Sequence, residues 1–161
     1  MNITKILIGI DDNKYAEHAA EYGFELARQF KATVGLINII EPMIMPGTIG
    51  GTDPMMATTL NSTGIPDLEL LDIQKNEAEN IVDRAIKKHG GEMKVAHFTD
   101  YGSTADGIID CGKEFGADLI VVGTHSRSGL DRLLSGSVAE HVVRHSKVPV
   151  LVVPFKESES Q

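Results

Sequence analysis

Short, unbroken runs of aliphatic residues recur along this chain, each separated from the next by a longer stretch whose apolar residues return every three or four positions. Few folds accommodate that alternation. The first run is Lys5-Ile-Leu-Ile-Gly-Ile10, apolar at consecutive positions, as a strand covered on both faces requires. Thr33 to Ile40, Lys94 to Phe98, Ala117 to Val122 and Val148 to Val153 complete five candidate strands. Between the first two, Asn13 is placed to cap a helix with Tyr15, Ala19, Tyr22, Leu26 and Phe30 as its apolar stripe. Asp67 to His89 carries Leu71, Ala78, Ile81, Val82, Ala85 and Ile86 at helical spacing and stops at Gly90-Gly91. Thr104 to Phe115 and Ser137 to His145 read as two more helices. Strands and helices alternate with no hairpin signal, which predicts an α/β fold: an open five-stranded parallel sheet, helices on both faces, and right-handed crossovers.

The 161 residues suffice for one domain, expected over residues 1–155. Fifteen Lys and Arg against 23 Asp and Glu leave a net charge of −8, with no Trp and only eight Tyr and Phe. That balance disfavours phosphate-backbone binding and base stacking, so no nucleic acid partner is expected. Cys111 is the only cysteine, which excludes an intrachain disulfide and any Cys-rich zinc motif and suits a reducing compartment. The first apolar run is too short for a signal-peptide core, and no run is long enough to span a membrane. A cytoplasmic protein with no membrane partner is the expectation. Glu41 to Pro66 breaks the rhythm with four Pro, four Gly and five Thr; residues 43–66 read as a long irregular loop, either functional or a tolerated insertion. Residues 156–161 form a polar tail.

Ligands of open parallel sheets bind beyond the carboxyl ends of the strands, where the strand order reverses. The residues following each strand are thus the candidates, and the most unusual of them run from Gly123 through Gly129 and Gly136 to Ser137 and Val138. Glycine allows close backbone approach to an anion. Free N–H groups at a helix start attract phosphate, and Arg127 and Arg132 could add charge-assisted bonds. Composition alone equally allows an ordinary strand-to-helix loop with Ser135 or Ser137 as a cap.

The same stretch, GTHSRSGLDRLLSGSVAEHVVRHSKVPVLVV, resembles the universal stress protein family, as does the opening KILIGIDDN. Nucleotide-binding members carry G-x2-G-x9-G-[ST] after the fourth strand, and the spacing is kept here at Gly123, position 126, Gly136 and Ser137. The resemblance covers residues 3 to 154 apart from the loop, and it implies a Rossmann-like sheet of the adenine nucleotide alpha hydrolase-like type. It also implies a regulatory protein of the stress response, not a dedicated enzyme; no residue reads as placed to activate a water, so any ATP hydrolysis should be slow. The expected ligand is ATP, or AMP or ADP, with magnesium carried on the phosphates and no protein side chain as metal ligand. Gly9, Ile10 and Asp11 would border the adenosine, and Ile39 would pair its backbone with adenine. Gly123, His125, Ser126, Arg127, Gly136, Ser137 and Val138 would wrap ribose and phosphates. The strand Val148 to Val153 is where members pair into homodimers, and an unidentified regulatory protein would be the further partner. Ser126 departs from the motif's glycine, and Thr104 replaces the proline of the family's G-x-P turn at Gly102. Two other readings stay open: a dimeric interaction module that has lost its nucleotide, and a slow magnesium-dependent hydrolase using Asp11. From residues alone, Asp11 could simply cap the first helix.

Other motifs carry less. Gly107 to Glu114 matches G-x4-G-K, but Glu114 stands where a P-loop needs Ser or Thr, and the stretch lies within a helix. His141 and His145 share a helix face without the H-E-x2-H pattern. Cys111 is spaced with Ile108 and Phe115 as a small core residue.

Overall fold

In the computed structural model, which describes residues 2–41, 68–124 and 138–155, the first apolar run forms β1 (Lys5–Gly9) at the centre of the sheet. The elements following it are α1 (Lys14–Phe30), β2 (Thr33–Ile40), α2 (Leu68–Ala85), β3 (Val95–Tyr101), α3 (Thr104–Phe115), β4 (Leu119–Gly123), α4 (Val138–His145) and β5 (Val150–Val153). The strand order is β3-β2-β1-β4-β5, with every neighbouring pair parallel. The expected architecture is therefore observed, helices on both faces included. Alternation divides the core: Ile6, Ile8, Val34, Leu36, Leu119 and Val121 pack with residues of α1 and α2. On the other face, Leu7, Ile37, Ile120 and Val122 pack with residues of α3 and α4. Burying each large aliphatic side chain favours folding by about 1.5–3 kcal/mol, so the doubly covered β1 anchors both layers.

Asn13 does cap α1, its Oδ1 accepting the Ala16 N–H at 2.8 Å. The helix, however, buries only part of the expected stripe, with Ala19 in the core and Leu26 packed against it. Ala16, Ala19, Ala20, Gly23, Phe24 and Ala27 turn inward, whereas Tyr22 and Phe30 stay 51% and 48% exposed. The reason is proximity: a Cβ on Gly23 would lie 2.5 Å from Ile8 Cδ1. A helix this close to the sheet admits small residues on its inner face and sends large ones outward. Tyr22 instead meets His18 edge-on, and His18 and Tyr15 meet Phe155 just beyond β5.

The end of α2 widens into one π-helical turn, Ile86–Gly90, before Gly91 reverses the chain at φ 55°. That turn lays His89 on Phe24, ring centres 5.8 Å apart, and the His89 carbonyl accepts Arg28 Nη2 at 2.6 Å. His89 Nε2 is buried without a hydrogen-bond partner. Desolvation holds the imidazole below its ordinary value, with Lys88 and Arg28 adding to the effect and Glu21 and Glu17 opposing it. A depressed folded value means that the unfolded chain takes the proton first, so stability is lost as pH falls below about 6.5. A His89→Phe variant should lose less between pH 7.5 and 5.5 than the parent when urea midpoints are compared. Equal losses would contradict this role for His89.

Candidate functional site

At the carboxyl end of the sheet the chain leaves β1 toward one side and β4 toward the other, so the strand order reverses between them. The last register pair of β1 with β2 is Gly9 with Ile37, and the Ile10 N–H still reaches the Ile37 carbonyl at 2.9 Å. Ile39 lies two residues on. Because N–H and C=O groups alternate sides along a strand, Ile39 points its backbone the same way as Ile37, past the last rung with β1. Ile40 faces the opposite edge, where its carbonyl accepts the Gly102 N–H at 3.1 Å.

Asn38 fixes this corner. It is the one buried polar residue among those described, 4% exposed, and its Nδ2 donates to the Ile10 carbonyl at 2.8 Å. Ile10 is thus tied to β2 through both backbone groups. Asn38 opens the stretch Asn38 to Glu41 that topology marks after β2, and its sequence signal is a lone amide within the apolar run TVGLINII; its bond to Ile10 is visible only in the fold. Asp11 follows Ile10, exposed at the start of the turn. The helix cap belongs to Asn13 and not to Asp11. Asp11 and Asp12 line a cleft of about 420 Å³ between the start of α1 and α2, with Lys14, Arg84 and Lys88. Arg84 pairs with Asp12 at 2.7 Å, and Lys88 pairs with Glu17.

Gly123 closes the last strand before the motif. A Cβ there would meet the Tyr15 carbonyl oxygen at 2.5 Å and its carbon at 2.8 Å. The glycine is thus required by the first turn of α1, a duty the motif alone does not reveal. Gly9 has a softer reason, with Ile108 Cδ1 3.1 Å from where its Cβ would be. At the Gly102 turn, φ is 132°, and Thr104 replaces the proline with a hydroxyl that donates to Glu41 Oε1 at 2.6 Å. The contact joins the end of β2 to the start of α3. Further along, Asp106 of α3 meets His141 of α4, Oδ1 to Nε2 2.9 Å. Hydrogen bonds from Ser103 and then His141 hold the Asp106 carboxyl below the ordinary range.

Gly9, Ile10, Asp11, Ile39 and Gly123 thus gather at the ends of the three central strands, and Val138 opens α4. His125, Ser126, Arg127, Gly136 and Ser137 lie outside the described residues, as do the 43–66 loop and the polar tail. The P-loop look-alike is resolved by packing: Cβ atoms on Gly107 and Gly112 would lie 2.5 Å from Ile39 Cδ1 and 2.7 Å from Ile120 Cδ1. Those glycines seat α3 on the sheet. Cys111 is half-buried against the same core, and desolvation pushes its thiol up to about 11, far from a reactive thiolate. Among the described residues no three His, Cys, Asp or Glu side chains converge as a metal set, and no helix is long and apolar enough to cross a membrane.

The sequence model of the universal stress protein family matches residues 2–154. The chain belongs to the universal stress protein family. A universal stress protein of Methanocaldococcus jannaschii is 32% identical over 157 residues, covering 95% of this chain and 84% of the relative. A universal stress protein solved in complex with cAMP superposes with a TM-score of 0.69 at 22% identity, over 95% of this chain and 98% of that one. An Arabidopsis thaliana member with AMP bound gives 0.64 at 18% identity, over 98% and 95%. At those identities the two structures show a shared fold. Within this universal stress protein, the G-x2-G-x9-G-[ST] motif begins at a glycine that the helix packing already demands, and the motif's far end leads directly into α4.

Proposed function

We propose that this universal stress protein binds an adenine nucleotide in the crevice where β1, β2 and β4 end, and that it works as a regulatory protein. The observation that carries the reading is the outward-facing backbone of Ile39 beyond the last β1 rung. One N–H and one C=O side by side match the acceptor and donor of an adenine edge. Asp11 would offer its carboxylate to an adenosine hydroxyl or amine. Two solved relatives hold adenine nucleotides, cAMP in one and AMP in the other, which favours this ligand class. ATP, ADP and AMP are the candidates, and magnesium would enter on their phosphates. The phosphates would lie toward Gly123, His125, Ser126, Arg127, Gly136, Ser137 and Val138, with α4's first-turn N–H groups among the donors.

Hydrolysis at useful rates needs a positioned base and charge stabilisation at the leaving oxygen, so turnover would be slow. An Asp11→Asn variant with unaltered turnover would remove a hydrolase reading based on that carboxylate. The working form would be a homodimer: β5 ends the sheet with one edge open and three half-buried aliphatic residues, and an apolar edge strand calls for cover. A cytoplasmic location and a regulatory protein partner belong to the same reading.

Protein purified without added nucleotide, denatured and chromatographed, should release an adenine compound, or the stripped protein should bind Mg-ATP at micromolar concentration by calorimetry. Gly136→Val should weaken that binding by about 30-fold, because a branched side chain would occupy the phosphate position. An empty pocket and a flat titration would instead favour the interaction module without nucleotide, for which Ser126 in the motif is the specific indication.

A further inference from the structure

We propose that the outer edge of β3 receives an extended basic segment of a partner protein as a further strand of the sheet. The inference stands apart from the nucleotide reading above. β3 closes one side of the sheet, and none of the described strands lies beyond it. Its pairing with β2 runs unbroken from Val34–Val95 to Ile40–Tyr101. Tyr101 stands opposite Ile40, while the Gly102 N–H bonds the Ile40 carbonyl. Gly102, Asp100 and Phe98 therefore turn their backbone groups to β2, and alternation turns those of Val95, His97 and Thr99 outward. Tyr101 faces the same way, but its N–H is already taken by Asp100 Oδ1 at 2.8 Å. The other devices that guard a sheet edge are missing, since Val95–Tyr101 holds no proline, no lysine and no bulge. At the opposite edge, β5 is shorter and lies between Pro149 and Pro154. β3 thus offers the longer and less guarded row of backbone donors and acceptors, the feature that strand addition uses.

The side chains beside that edge define what the incoming strand should carry. Phe98 meets Phe115 of α3 edge-on at 5.5 Å, so Asp100, two residues along, lies on the α3 side of the sheet. Desolvation first, and then the charges of Glu114 and Asp100, push the Cys111 thiol up, which places both carboxylates around that side chain. Asp110 precedes Glu114 by one turn on the same side of α3. All three carboxylates are exposed, and no ion pair among the described residues engages them. An added strand with lysine or arginine at alternate positions would set those cations against this acidic row. Its intervening residues would lie beside His97 and the exposed ring of Tyr101. A second copy of the chain is the poorer occupant. Two β3 edges pairing about a twofold axis normal to the sheet would bring one acidic α3 flank against the other, in a chain of net charge −8.

The test uses nucleotide-free protein and three end-blocked octapeptides: lysine alternating with valine, the same residues arranged in two blocks, and glutamate alternating with valine. With the alternating basic peptide, amide exchange at His97 and Thr99 should slow about tenfold or more. The block peptide should bind about tenfold more weakly, and the acidic peptide should not bind. His97→Pro removes one outward N–H at a position where an edge strand admits proline, and it should weaken binding about tenfold. The double variant Asp110→Lys, Glu114→Lys leaves β3 untouched and should weaken binding as much. Failure of the alternating basic peptide to bind, a block peptide that binds equally well, protection confined to β5, or unchanged affinity in the double variant would each overturn the proposal. So would slow exchange at His97 and Thr99 in a peptide-free dimer, which would assign the edge to a second copy of the chain.

Discussion

Gly123→Ala is expected to melt about 10 °C below the parent protein, from a loss near 3 kcal/mol. The added methyl would point at the backbone of Tyr15, with the carbonyl oxygen 2.5 Å away and the Ala16 nitrogen at 3.3 Å. A side chain could rotate aside, but the capped first turn of α1 cannot, since Asn13 fixes it through the Ala16 N–H. Either β4 must slide against β1 or α1 must lift from Ile8. Gly9→Ala is the internal control, because the atom it meets is the far end of Ile108 at 3.1 Å; its cost should stay near 1 kcal/mol. Scanning calorimetry separates the two, and a Gly123→Ala protein melting within about 2 °C of the parent would show that α1 does not rest on β4 as described. A nucleotide-binding defect in this variant would report on helix packing as much as on phosphate contact.

Asn38→Asp should be nearly as damaging at neutral pH, by about 3 kcal/mol, although it changes one amide to one carboxyl of the same shape. The parent amide donates to the Ile10 carbonyl from a position 4% exposed. A carboxylate there has nothing to donate and faces the Ile10 carbonyl oxygen. Burial raises the folded carboxyl's affinity for its proton, and the protonated form regains a donor. With the folded value raised, the native state binds the extra proton, so the penalty shrinks as pH falls from 7 toward 4. Glu17 and Asp118, held low by Lys88 and by Thr4 respectively, cost both proteins stability alike over the acid range. Urea midpoints for the two proteins should therefore converge on acidification, and parallel curves would mean that residue 38 is reached by water.

What the sequence made legible follows from how strongly each physical cause marks it. The run Thr33–Ile40 and the helix Thr104–Phe115 match the structure at both ends, because a run rich in β-branched residues and a terminal glycine at Gly116 are strong local signals. The inner face of α1 is legible only at Ala19 and Leu26, since alanine and glycine register weakly beside Tyr22 and Phe30, although close packing selects the small residues. β3 runs on to Tyr101 through Thr99 and Asp100. There, backbone pairing with β2 at the sheet edge, and not side-chain burial, carries the strand. Of the site, the positions after β1, β2 and β4 were readable from topology. The Asn38–Ile10 bond, the Glu41–Thr104 bond and the Asp106–His141 pair were not, since each joins residues brought together only by the fold.

The central place of β1 has a consequence for the chain as it is made. Its register partners are Thr33 to Ile37 on one side and Leu119 to Val121 on the other. A ribosome adding about 5–20 residues per second leaves an interval on the order of ten seconds between the emergence of β2 and that of β4. Throughout that interval a nascent chain can cover one edge of β1 and must leave the other, with Ile6, Leu7 and Ile8 along it, open to any strand that arrives. The most protected strand of the finished protein is thus the most vulnerable one during synthesis, and a chain stalled before Leu119 would be the species that chaperones have to shelter.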